Sequence, residues 1–293
     1  MKSAIVTGAT GFIGAHLVDE LVAKNVNVTA LCRYGSANLG RLPGSVDIVY
    51  DPLLLPKADV FYHLAWDGAS GAGRADAGLQ AGNAQMTLDT LIAAERKGCD
   101  RFIGLGTVYE NFADRIKTSA DCGGADFYIL SKEYAHSCAD QLAKKLGIGF
   151  IWCTVCHPIG RYIKPEQMMA FFISSMLKGS KPSFGPASTL FDIVAVEDVA
   201  RGLYALGERE NLSKRCYYIG SGAPKPLSAW LYETRKILGA STPIGIGERS
   251  DDGLRFEEQW FDIKPIMDDA GYKPTVSLTE SVNNVADWMS ATL

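Results

Sequence analysis

The stretch Thr7-Gly8-Ala9-Thr10-Gly11-Phe12-Ile13-Gly14 decides how this chain is read. A short apolar run, Ala4-Ile5-Val6, precedes it. A helical apolar pattern follows it, made of Phe12, Ile13, Leu17, Val18, Leu21 and Val22. Three glycines therefore stand where a strand turns into a helix. In that setting the first glycine permits a tight turn, the second lets the backbone approach a pyrophosphate, and the third lets helix and strand pack closely. Free N–H groups at the helix start add partial positive charge toward phosphate oxygens. The spacing is G-x-x-G-x-x-G rather than G-x-G-x-x-G. The strand before it and the amphipathic helix after it raise the motif above a flexible glycine-rich turn.

Working outward, 293 residues give room for a large domain and a smaller lobe. Hydrophobic residues make up 47%, as in ordinary globular proteins. There are 29 basic and 33 acidic residues, a net charge of −4, and no dense basic run, which argues against a nucleic-acid partner. No apolar stretch reaches membrane-spanning length. The first residues enter a strand without the charged and apolar regions of a signal peptide, so a cytoplasmic location is expected. The seven scattered cysteines are expected to be free, small, buried hydrophobes. Cys153-Thr154-Val155-Cys156-His157 matches the haem-attachment pattern C-x-x-C-H. The run from Phe150 to Val155 reads as a buried strand, however, and residues three apart on a strand face opposite ways. His63 and His157 belong to no H-x-x-x-H or compact His/Asp cluster, so no metal site is expected.

Strand and helix signals alternate along the first half. After the first helix, strands are expected at 26–31, 47–50, 59–64, 101–105 and 149–155. Helices are expected at 80–96 and 127–146, and a glycine-rich loop at 67–73. This alternation, without repeats, predicts an α/β fold with a parallel sheet covered by helices on both faces. After Pro158 the elements shorten and glycine and proline become frequent. A helix is expected at 168–177, a strand at 190–196 leading into a helix at 197–206, and further helices near 228–238 and 279–289.

The glycine octet resembles the cofactor loop of the extended short-chain dehydrogenase/reductases, the NAD(P)-dependent nucleotide-sugar epimerase/dehydratase family. The resemblance implies a Rossmann-type doubly wound sheet over 1–158, with about 190–208 returning to it, and a smaller α/β substrate lobe over 159–293. It implies a dinucleotide held by Gly8, Thr10, Gly11, Phe12, Ile13 and Gly14. NAD sites carry an acid at the end of the second strand, on the adenosine ribose. Here Cys32 takes that place and Arg33 follows. A guanidinium suits a 2′-phosphate, which it bonds in bidentate fashion. The loop holding Arg33, Ser36, Asn38 and Arg41 is similar to the 2′-phosphate loop of NADP-using members. NADP is expected, with NAD as the alternative. Asp51 resembles the family's adenine-contacting aspartate.

Tyr128-Ile129-Leu130-Ser131-Lys132 places a tyrosine and a lysine at i and i+4 on one helix face. A phenol near pKa 10 is a poor acid or base at neutral pH unless a neighbouring cation favours its phenolate. Lys132 is expected to supply that charge and to grip the nicotinamide ribose. The same spacing recurs at Tyr232 and Lys236, but late in the chain and without a strand-end hydroxyl before it. Thr107, at the end of the fifth strand, is the expected hydroxyl partner of Tyr128, placed to bond the substrate oxygen. Relatives put two residues between this position and a Val-Tyr pair. Here Val108-Tyr109 follows at once, so either the loop is shorter or Glu110 takes the register.

Further resemblances are spread along the chain. His63-Leu64-Ala65-Trp66 is similar to the fourth-strand segment beside the cofactor, which implies roles for Leu64, Ala65 and Trp66. Asn83 matches an asparagine early in the next helix. His157-Pro158-Ile159-Gly160 stands where relatives carry Asn-x-Tyr-Gly, next to nicotinamide and sugar, which brings in Pro158 and His157. Trp66, Thr107, Val108 and His157 are the expected substrate contacts. The arginine that many relatives carry before the segment at 191–199 is absent, with Thr189-Leu190 in its place. The resemblance implies hydride transfer at C4 of a nucleotide-linked sugar. A 4-ketoreductase is favoured by the Arg33 loop, and a 4-epimerase with tightly bound cofactor is the alternative. A non-enzymatic dinucleotide sensor is the remote one. A 4,6-dehydratase is disfavoured, because Val108-Tyr109 replace its Asp-Glu pair. A homodimer is expected through the helices at 80–96 and 127–146. Met86, Leu88, Leu91 and Ile92 on the first, and Ala135, Cys138, Ala139 and Leu142 on the second, are its candidate faces.

Overall fold

Ala4, Ile5 and Val6 are buried almost completely because their strand lies inside a seven-stranded sheet. The computed structural model describes residues 1–251 and 253–292. Its elements, in order, are β1 Ser3–Thr7, α1 Phe12–Ala23, β2 Asn27–Leu31, β3 Asp47–Val49, β4 Val60–His63, α2 Ala77–Arg96, β5 Arg101–Thr107, α3 Ala113–Thr118 and α4 Asp126–Leu146. There follow β6 Gly149–Val155, β7 His157–Ile159, α5 Met168–Leu177, β8 Leu190–Phe191, β9 Ile193–Ala195, α6 Val196–Glu208, β10 Cys216–Tyr218, β11 Lys225–Pro226, α7 Leu227–Ile237, α8 Lys264–Ala270 and α9 Leu278–Thr292.

The sheet order is β10-β6-β5-β4-β1-β2-β3, and every pairing is parallel. This is the expected Rossmann-type doubly wound sheet. Successive residues of β1 serve opposite faces, as the two-residue period of a strand requires. Ala4 and Val6 join the core under α1 and α6, while Ile5 joins the core under α2 and α4. On that second face Phe61, Phe102 and Phe150 stack in a row across three strands. The strand order reverses beside β1, and such a switch point opens a crevice at the carboxyl ends of the strands. The register brings Thr7 level with Leu31 and His63, and Thr107 level with Val155, along one edge.

A second core joins α5, α7 and α9 through Met169, Phe172, Leu231, Val282 and Val285, beside the short pairs β7–β9 and β8–β11. The seventh strand, β10, comes from the stretch assigned by sequence to this lobe. Three of the residues expected on a dimer face are turned inward instead. Leu91, Ala135 and Ala139 are fully buried in the chain's own core, so they are not free to form a dimer face. Met86, Leu88, Ile92, Cys138 and Leu142 stay partly exposed on α2 and α4, and Tyr134 is well exposed beside them. Among the described residues, no helix is long and apolar enough to cross a membrane.

Candidate active site

The glycine octet forms a tight cradle at the crevice. Gly8 has φ +66°, and a Cβ there would lie 2.7 Å from the backbone of Leu64 and Ala65. A Cβ at Gly14 would lie 2.0 Å from the Gly8 carbonyl oxygen. Bare backbone is thus required where β1 turns into α1, which fits the approach of a pyrophosphate. A cavity of about 1700 Å³ runs from this cradle along the strand ends. Thr10, Gly11, Phe12 and Ile13 line it with the two glycines, and Leu64, Ala65 and Pro158 border it further along.

Beyond the end of β2, Arg33, Ser36 and Asn38 line the same cavity. The Thr10 and Ser36 hydroxyls are 3.2 Å apart, and Arg41 donates to the Thr10 carbonyl at 3.0 Å. Arg33 is exposed and pairs with Asp67 at 2.8 Å, so an arriving anion must compete with that carboxylate. Three expected residues lie off the cavity wall. Asp51 caps the turn that follows it, accepting from the Leu53 N–H at 2.9 Å. Asn83 holds both backbone groups of Asp67, at 2.9 and 2.8 Å. Val108 is buried in the second core.

The expected reacting groups meet at the middle of the cavity. β5 runs two residues further than expected, which makes Thr107 its last residue. The Thr107 hydroxyl stands beside the Tyr128 phenol and favours its ionised form, and both line the cavity with Lys132. The Lys132 ammonium donates to the Leu105 carbonyl at 2.7 Å and lies 3.7 Å from the Trp66 ring centre. Trp66 is itself fixed through its indole N–H on Gln80 at 2.8 Å. His157 lines the cavity too, and its Nε2 is buried without a hydrogen-bond partner among the described residues. Burial, followed by the nearby Arg74 charge, pushes His157 down to about 4, so its ring is neutral at physiological pH.

The electrostatics differ from the expectation. Burial raises the Tyr128 phenol above its ordinary value, where a depression by Lys132 was expected. Burial also pushes Lys132 down to about 7, against the pull of Glu110. A low-dielectric site disfavours both charged forms at once. The cation that favours the phenolate here is Arg74, whose guanidinium lies 4.8 Å from the Tyr128 ring centre and 5.4 Å from that of Tyr109. Arg74 was missed in the sequence, where it is one arginine at the end of a glycine-rich loop. Gln80 fixes that loop by donating to the Gly68 and Gly73 carbonyls at 3.1 and 2.8 Å.

Other candidates fall into structural roles. His63 is buried between the Thr7 and Thr87 hydroxyls, at 2.9 and 3.1 Å, and burial pushes it down to about 3. Cys153 and Cys156 sit in different cores, and burial raises both thiols. Tyr232, of the second Y-x-x-x-K match, is about half exposed on α7 and does not line the cavity. Among the described residues, no group of three or more His, Cys, Asp or Glu side chains is arranged to hold a metal ion.

A glycine cradle at the switch point, with a Thr-Tyr-Lys set on the same crevice, defines the short-chain dehydrogenase/reductase class. The model of the NAD dependent epimerase/dehydratase family matches residues 4–220, and the chain belongs to that family, within the extended short-chain group. It is 26% identical to a dTDP-glucose 4,6-dehydratase of an Actinoplanes species, over 98% of this chain and 97% of the relative. Its fold is similar to a UDP-N-acetylglucosamine 4-epimerase from Methanobrevibacter ruminantium (TM-score 0.82, 19% identity, 100% and 99% of the two chains). It is similar as well to a UDP-glucuronic acid 4-epimerase from Bacillus cereus, solved with UDP-glucuronic acid and NAD (TM-score 0.80, 22% identity, 99% and 100%).

Proposed function

We propose that this protein is an NAD(P)-dependent oxidoreductase acting at C4 of a nucleotide-linked sugar, and that it works as a 4-ketoreductase. The observation that carries the reading is the convergence of Thr107, Tyr128 and Lys132 on the cavity that begins at the glycine cradle. The cradle would hold the pyrophosphate, the Arg33 loop the adenosine ribose, and Lys132 with Pro158 the nicotinamide end. When bound, the nicotinamide supplies or takes the hydride.

The chain's own residues do the rest. Tyr128 gives its proton to the sugar O4 in the reductive direction and takes it back in the oxidative one. The Thr107 hydroxyl donates to the same oxygen and fixes it beside the phenol. Arg74 favours the phenolate as it forms, so the cost of charging a buried tyrosine falls. Lys132, near its midpoint at neutral pH, is easily recharged by hydrogen bonds to a ribose. The unpartnered His157 Nε2 offers a bond to a sugar hydroxyl. Trp66 walls the site on the side of Lys132.

Arg33 favours NADPH, and a replaceable reductant suits net reduction. The second reading, a 4-epimerase that keeps its cofactor, is supported by the epimerases among the structural relatives. A homodimer through the exposed parts of α2 and α4 accompanies both readings. The test begins by identifying the dinucleotide released on denaturation. UDP- and dTDP-sugars and their 4-keto forms are then offered with NADPH. Stoichiometric NADPH consumption supports the reductase. Interconversion of C4 epimers without net consumption supports the epimerase. If neither occurs with cofactor bound, the function is wrong.

A further inference from the structure

Behind the reacting groups lies a carboxylate that the mechanism above does not use. Glu110 is buried at the third position of the helical turn formed by Val108–Phe112, which opens directly after Thr107. Its Oε1 accepts the Thr107 backbone N–H at 2.8 Å. Its Oε2 accepts the Trp152 indole N–H at 3.0 Å and lies 3.2 Å from His136 Nδ1. With the Thr107 hydroxyl accepting the Tyr109 N–H at 3.3 Å, this closes a capping box around the residue that carries the strand-end hydroxyl.

The surroundings are shaped for it. A Cβ at Gly106 would lie 2.4 Å from Glu110 Oε1 and 2.1 Å from Trp152 Nε1, so β5 leaves that space bare. His136 lies on the side of α4 that also carries Lys132 and Tyr128, one and two turns before it, and its ring stacks on Trp152 at 4.9 Å and 8°. Neither an arginine nor a lysine pairs directly with Glu110 among the described residues. A buried carboxylate without such a partner costs stability, and a mere cap needs no charge in that place.

We propose that Glu110 is a positioning residue of this site: it fixes the strand end that presents the Thr107 hydroxyl to Tyr128, and it holds a negative charge behind Tyr128 and Lys132. The assignment rests on the reading of Thr107, Tyr128 and Lys132 as the reacting set. The titratable and charged groups that face this region are Tyr128, Lys132 and His136 on α4, Cys216 on β10, His63 on β4 beyond Lys132, and Arg74 over Tyr128. The Glu110 charge pulls Lys132 toward its protonated form and opposes ionisation of Tyr128. It thereby keeps the proton on Tyr128 until the substrate oxygen calls for it.

The test uses the full chain with ¹³Cε-labelled lysine, and Lys132→Met assigns the Lys132 signal. Glu110→Gln keeps an oxygen for the Thr107 N–H and removes the charge. The Lys132 midpoint should then fall by about one pH unit. In turnover, kcat should fall about tenfold, and cofactor Kd should rise by at most the roughly tenfold that one pH unit on Lys132 allows. An unchanged Lys132 midpoint in Glu110→Gln overturns the proposal. Should Glu110→Gln fail to fold, Glu110→Asp serves instead. It keeps the charge but draws it back from the Thr107 N–H, so the midpoint should hold while kcat drops. Wild-type kcat in Glu110→Asp overturns the proposal as well. The NMR arm needs no substrate, so a shifted midpoint without turnover on any nucleotide-sugar rejects the proposed function and leaves the electrostatic role standing.

Discussion

Replacing Lys132 with methionine should make the cofactor-free protein more stable while it destroys activity. Lys132 is buried and held at about 7 against an ordinary 10.5, because burial outweighs the pull of Glu110. The sign follows from proton linkage. Between about 7 and 10.5 the unfolded chain binds the lysine proton and the folded chain does not, so folding becomes more favourable as pH rises through that window. Near pH 7 the folded state therefore bears a cost of about 4 kcal/mol, at about 1.36 kcal/mol for each pH unit. Methionine keeps an unbranched side chain and removes the charge. It also leaves the Leu105 carbonyl without its donor, a loss of about 2 kcal/mol. The net expectation is a gain of about 1–2 kcal/mol near pH 7, shrinking to a net loss near pH 10 as the charge cost disappears. Urea unfolding at the two pH values measures it. A variant destabilised equally at both would refute the argument that burial strips this lysine of its charge. A residue kept at such a cost is the usual mark of function over stability.

Three further expectations follow from the same geometry. Tyr128→Phe keeps the ring and removes the proton, so turnover should fall about 10²-fold or more while cofactor binding survives, and Tyr232→Phe on the exposed face of α7 should match wild type in the same steady-state assay. Calorimetric titration should show NADPH binding more tightly than NADH, with Arg33→Ala removing about tenfold to hundredfold of the difference; equal affinities in the wild type would count against the 2′-phosphate role. Light scattering at micromolar concentration should give a dimer, and Tyr134→Glu, on the exposed part of α4, should shift it toward monomer.

Much of this was legible in the sequence, for physical reasons. The buried strand Gly149–Val155 and the helix Met168–Leu177 were read with the ends they have, because burial writes an unbroken apolar run and helical packing writes a regular one. The glycine cradle and the i, i+4 pair were legible because each is local. β10 was not, since three residues, Cys216–Tyr218, become a strand only by pairing with β6. Arg74 was missed because its contact with Tyr128 is made by the folded loop and has no local pattern. Thr107 and Glu110 carried a T-x-x-E spacing, yet only the turn after β5 shows the carboxylate closing on the Thr107 N–H. The charge state of Lys132 depends on burial from several elements, which no short motif records.

The most direct test of the central claim follows one hydrogen. The protein is given NADPH deuterated at the nicotinamide C4, together with UDP- and dTDP-linked 4-keto sugars, and the products are read by mass spectrometry and NMR. Deuterium bonded to carbon at sugar C4 is expected in the wild type, with the label lost in Tyr128→Phe. Deuterium arriving at another carbon, or transfer to C4 that persists undiminished in Tyr128→Phe, would contradict it.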